Sequence, residues 1–167
     1  RDLPSAELLA AWRANRAVLA EAAATLADDT RVVWYGPSMG SKSFLTARLM
    51  EVFAHGQDIV DTVGATRPAT DRLRHIAQLG YITRKWSYLN RRMDVPEGDV
   101  AVVLTAPSGE TWTWGEDADN RVTGSAEDFC LVVTQRRHPS DTALVIEGPA
   151  ATEWIDIAQA FAGGPGP

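Results

Sequence analysis

The sequence predicts an α+β protein: an all-helical part over residues 1–94, followed by a small α+β domain over residues 98–162. Two observations carry the fold class. Before Pro96 the apolar residues recur every three or four positions over long stretches, as amphipathic helices require. After it they gather in short runs rich in valine, threonine and tryptophan, bounded by glycine and proline, as strands do. A chain of 167 residues with 45% hydrophobic content is enough for one large domain or two small ones.

The first helix is expected over residues 5–27, with Ser5 as N-cap after Pro4 and Leu8, Leu9, Trp12, Arg16, Leu19 and Ala23 at helical spacing. Val32-Val33-Trp34-Tyr35 is short and apolar, and Gly36-Pro37-Ser38-Met39-Gly40 breaks the chain. A second helix spans about 41–63, capped by Ser41 or Ser43 and stopped by Gly64; its Leu45, Leu49, Val52, Phe53 and Val60 give an apolar side. The third is expected over about 70–92, with Thr70 as cap and Leu73, Ile76, Ala77, Gly80, Tyr81 and Leu89 on its apolar side. Strands follow at about 100–105, 111–114, 121–124 and 144–148. Helices are expected at about 126–137, capped by Ser125, and 150–162. Two strand-Gly-helix steps resemble each other, Arg121-Val-Thr-Gly124-Ser-Ala and Val145-Ile-Glu-Gly148-Pro-Ala, and the Gly-Gly-Pro-Gly-Pro tail reads as disordered or as the end of a linker.

A net charge of -6 argues against general nucleic-acid binding, which needs a basic surface to neutralise phosphates. Cys130 is the single cysteine, so no intrachain disulfide forms. No apolar run reaches the ~18 residues that span a bilayer, and the opening Arg1-Asp2-Leu3-Pro4 has no signal-peptide pattern. A cytoplasmic protein acting on a small-molecule substrate, with no nucleic acid and no membrane as partner, is the expectation.

The informative segment is Arg48-Leu-Met-Glu51-Val-Phe-Ala-His55-Gly-Gln-Asp58. Its polar residues are three, four and three apart, which puts all four on one helix face. A charged stripe among apolar neighbours is costly to bury unless it is paired or binds a metal. Glu51 and His55, one turn apart, can converge on one ion, and bundle proteins build carboxylate–histidine sites this way. Such donors suit zinc, iron or nickel. Asp58 is placed to orient His55 through its other ring nitrogen. The competing reading is a salt-bridge stripe, Arg48 with Glu51 and His55 with Asp58. Two ligands fall short of the three or more that zinc sites use.

The stretch Thr46–Ile59, with Trp34-Tyr35-Gly36-Pro37 before it and Arg67-Pro68-Ala-Thr-Asp-Arg-Leu-Arg-His75 after it, resembles an actinobacterial branch of the DinB-like metal-binding proteins related to mycothiol-dependent maleylpyruvate isomerase. Thr105–Gly115 and Asp128–His138 extend the resemblance over essentially the whole chain. It implies a four-helix bundle followed by a smaller α+β domain. It implies a divalent metal, most often zinc, held by Glu51 and His55 together with a histidine from an earlier helix, and mycothiol as thiol cofactor. The Pro-Gly-Trp…His-Leu segment that carries the earlier histidine is not in this sequence, and the helix over 5–27 resembles the third of the bundle. The first two helices are therefore expected from a missing N-terminal segment or a second chain.

Two function classes follow. One is a metal-dependent enzyme of the mycothiol-dependent isomerase or transferase type, acting on a small electrophile or thiol adduct, with Arg48 and Asp58 assisting catalysis. Arg48 would neutralise Glu51 or grip a substrate carboxylate, and a metal would lower the thiol's pKa. The other is a non-catalytic ligand-binding or interaction module whose Glu-His stripe is structural. Among the remaining residues, His75 is a candidate third ligand but reads first as a surface or interhelix residue. His138 reads as a cap, Cys130 as core and Trp112 with Trp114 as a core ridge. The basic residues Arg72, Arg74, Arg84, Lys85, Arg91 and Arg92 read as a solvated helix face.

Overall fold

The computed structural model describes residues 3–34, 38–116 and 119–164. Tyr35 of the short apolar segment, Gly36-Pro37 of the predicted break, Arg1-Asp2 of the opening and the last three residues of the tail lie outside them. The chain separates into two compact units, residues 1–45 and 46–167.

In the first unit, α1 runs Ser5–Ala24. It begins one residue earlier than a Ser5 cap would allow: Pro4 holds the cap position, and no side chain caps the end. A proline there is well suited, because it lacks the N–H a helix start would leave unpaired. The predicted apolar side is not buried, since none of the α1 residues is. Two-residue strands β1 (Arg31–Val32) and β2 (Met39–Gly40) pair antiparallel. Helix α2 (Ser41–Val63) then starts at Ser41, whose N–H donates to Thr30 O at 2.9 Å and whose Oγ donates to Ala27 O at 2.9 Å. Ser41 thus ties the helix start to the preceding turn instead of capping it. Trp34 meets Phe44 edge to face at 6.2 Å.

In the second unit, α2 buries Met50, Phe53, Ala54 and Gln57. Leu49 packs partly on the core, whereas Val52, expected inside, is 67% exposed. The expected third helix is two: α3 (Leu73–Ile82) and α4 (Arg84–Leu89), broken at Thr83. The break resets the helical phase, so Ser87 and Tyr88 turn inward and Leu89 outward. Arg84, predicted on the solvated face, is buried for the same reason, with Nη1 donating to Gly98 O at 2.8 Å.

Strands β3 (Ala101–Thr105), β4 (Thr111–Trp114), β5 (Arg121–Ser125) and β6 (Val145–Glu147) form one mixed sheet in the order β4-β3-β5-β6. Only the β3–β5 pairing is parallel. Helix α5 (Ala126–Val133) follows β5, and its cap is the predicted one: Ser125 Oγ accepts from Asp128 N at 3.0 Å. It ends well short of residue 137, because Gln135 turns left-handed at φ 58 and the Arg136 N–H closes back onto Leu131 O at 2.8 Å. Helix α6 (Pro149–Ile157) follows β6 and also stops early. The two strand-Gly-helix steps are thus real neighbours in the sheet. In the second, Gly148 has φ 86, and a Cβ there would sit 2.1 Å from Asp119 O, so only glycine fits. The core gathers Ile76, Tyr88, Val102, Leu104, Val122 and Trp154 between helices and sheet, with Phe129 edge-on to Trp154 at 6.0 Å.

Candidate functional site

Arg48, Glu51, His55 and Asp58 lie along one face of α2, as their spacing requires. Both pairings of the salt-bridge reading form. Arg48 Nη2 donates to Glu51 Oε1 at 2.5 Å, and His55 Nδ1 lies 3.1 Å from Asp58 Oδ2. The stripe is not deeply buried: the His55 side chain is 73% exposed. The desolvation that would have made an unpaired stripe costly is therefore small here. Glu51 and His55 line a shallow cleft of about 180 Å³ with Met50, Ala54, Arg136 and Phe161.

Arg136, which falls inside the helix expected over 126–137, was not singled out by the sequence. Its guanidinium grips Asp58 with two bonds, Nε to Oδ1 at 2.9 Å and Nη2 to Oδ2 at 3.0 Å. Arg137 grips Asp61 in the same way, Nη1 to Oδ2 and Nη2 to Oδ1, both at 2.7 Å. Such forks match carboxylate geometry. The only sequence signal was two adjacent arginines and two carboxylates three apart, separated by more than seventy residues. The Arg136 guanidinium holds the Asp58 carboxyl below the usual carboxylate range; burial opposes it, and the His55 hydrogen bond adds a smaller lowering. Asp61 is lowered to about 2, first by Arg137 and then by Gln57.

The donor chemistry fits half of a metal site. Glu51 offers a carboxylate, and His55 has its Nδ1 engaged by Asp58, the arrangement that leaves Nε2 for an ion. Among the described residues, no three His, Cys, Asp or Glu side chains gather where one ion would touch them all. His75 is exposed on α3 and joins no such group.

Residues 1–60 of the chain match the mycothiol maleylpyruvate isomerase N-terminal domain family. The matched segment includes α1 and the residues Glu51 and His55. Residues 102–147 match a second family, described as wyosine base formation, which covers most of the mixed sheet, α5 and Arg136. Two uncharacterized proteins of Mycobacterium tuberculosis, from strains CDC 1551 and H37Rv, are each 49% identical over 162 residues, covering 96% of this chain. The chain spans 63% of the length of these relatives. No solved structure matches it.

The other predicted residues fall as follows. His138 is exposed and caps the short turn Pro139–Asp141 rather than the end of α5, its Nδ1 accepting from Ser140 N at 3.3 Å. Cys130 is fully buried, and burial pushes its thiol well above the ordinary range, so it is an inert core group. Trp112 is buried and meets Trp114 edge-on at 6.5 Å, as a core ridge would. No helix among the described residues is long and apolar enough to cross a membrane.

Proposed function

We propose that this chain is part of a metal-dependent enzyme of the mycothiol-dependent isomerase or transferase type, acting on a small electrophile or thiol adduct. The observation that supports it is the Glu51/His55 pair, one helical turn apart within the isomerase-type segment, with the histidine's second nitrogen engaged by Asp58. Glu51 and His55 would hold a divalent metal, zinc by preference. A bound metal supplies Lewis acidity that lowers the pKa of a thiol such as that of mycothiol. Arg48 pairs with Glu51, and Asp58 orients His55. The third ligand, a histidine by preference, comes from outside this sequence on further bundle helices, and a fourth position is left for water or thiolate. Those helices lie on a longer form of the chain or on a second chain.

The test is elemental analysis of the complete assembly, purified without chelator, beside its His55→Ala variant. Stoichiometric zinc in the parent and none in a still-folded variant supports the metal reading; equal metal in both defeats it.

A second reading has an observation in its favour. The pairings Arg48–Glu51 and His55–Asp58 are those of a structural stripe on a non-catalytic ligand-binding module. A Glu51→Ala variant that keeps full metal content and activity would select it.

A further inference from the structure

Arg136 ties the polar stripe of α2 to the α+β part of the chain. Arg136 stands just past α5, and its side chain is only 17% exposed. Besides its two bonds to Asp58, its Nε donates to Ala54 O at 3.3 Å and its Nη1 to Thr134 O at 2.7 Å. The guanidinium is thus fixed by backbone acceptors from both sides and presents its fork to Asp58. By itself, a half-exposed Asp58 three residues from His55 would hold the ring weakly, as exposed i,i+3 pairs do.

We propose that Arg136 is a positioning residue for His55, fixing through Asp58 the ring tautomer that carries its hydrogen on Nδ1 and its lone pair on Nε2. The chemistry follows from the donor inventory. A guanidinium only donates, and Arg136 donates to both Asp58 oxygens, which holds the carboxyl group in place as an acceptor. Oδ2 faces His55 Nδ1 at 3.1 Å, so that nitrogen is the donor. A neutral imidazole has one N–H, so Nε2 is left as the acceptor, the form a metal or a proton needs. The use of that lone pair for a metal rests on the function proposed above; the tautomer does not. The clamp of Arg137 on Asp61, one turn further along α2, is the same device without a histidine and serves as the control.

The experiment is long-range proton–nitrogen correlation of the histidine rings in the zinc-free, nitrogen-15-labelled full chain at about pH 8, above the usual imidazole range. The His55 signals are identified by their loss in His55→Gln. The parent is expected to show His55 predominantly protonated on Nδ1. In Arg136→Met this form falls to a minority, while Arg137→Met leaves it unchanged. Arg136→Lys keeps the charge but not the fork, gives an intermediate population, and takes the place of the methionine variant should that one not fold. A parent ring protonated on Nε2, or an unaltered tautomer in folded Arg136 variants, would overturn the assignment. Zinc affinity measured on the complete assembly by competition separates the two claims: a loss of ~10–100-fold in Arg136→Met supports both. No zinc binding by any form, with the tautomer results as expected, upholds the role of Arg136 and removes the metal reading.

Discussion

At the scale of single residues, the stripe on α2 is a set of exposed and half-exposed charges whose partners, more than their burial, set their behaviour. Asp61 shows this most clearly. Its carboxyl titrates near 2 in the folded chain against an ordinary 3.8, because Arg137 and Gln57 donate to the charged form. A depressed carboxylate contributes stability that is present above its unfolded pKa and is lost as pH falls through the folded one. The Arg137–Asp61 clamp should therefore help above about pH 4, fade between there and about pH 2, and contribute nothing below. Thermal midpoints of the parent and Arg137→Met should differ at neutral pH and converge through that window. A gap that persists at the acid end would mean that Arg137 acts by packing. Raised salt should narrow the neutral-pH gap, since the carboxylate is solvent-accessible and screened.

At the scale of elements, the contact between α3 and α5 depends on an absent side chain. A Cβ on Gly80 would lie 2.8 Å from Cγ2, 3.0 Å from Cγ1 and 3.1 Å from Cβ of Val133, which is itself fully buried. Gly80→Ala gains ~1 kcal/mol of helix propensity. It meets an overpacking penalty of ~1–3 kcal/mol, because a β-branched valine cannot move aside. The clash should win. Urea unfolding should show a lower midpoint with an unchanged slope. Adding Val133→Ala should recover part of the loss, giving a non-additive cycle. A Gly80→Ala variant more stable than its parent would show that the two helices have room to separate.

At the scale of the whole molecule, the first unit carries the largest unexplained feature. Helix α1 has twenty residues and buries none, while Leu8, Leu9, Trp12 and Leu19 are 58%, 45%, 51% and 44% exposed. Soluble proteins rarely leave a contiguous apolar surface of this kind uncovered. A preceding segment or a second copy of the chain is the expected cover. The 18.1 kDa chain on its own should self-associate in light scattering and bind a hydrophobic dye. A Leu8→Glu/Trp12→Glu double variant should lower both. A dye-silent monomer of 18.1 kDa would sink the idea.

The α+β class, the α2 boundaries, the Ser125 cap and the strand runs were legible in the sequence because each rests on local periodicity or on a cap a few residues away. The four-residue stripe was legible for the same reason: a helix fixes which side chains share a face whatever surrounds it. Only the tertiary structure decided the rest. The break at Thr83 turned Arg84 and Tyr88 inward and Leu89 outward. The sheet order β4-β3-β5-β6 brought β5 beside β3 rather than β4. Arg136 reached Asp58 across 78 positions of sequence. Hydrophobic periodicity says that a face is to be covered but not by what. Burial is non-directional, whereas a guanidinium fork is specific only once the fold has brought its carboxylate within 3 Å.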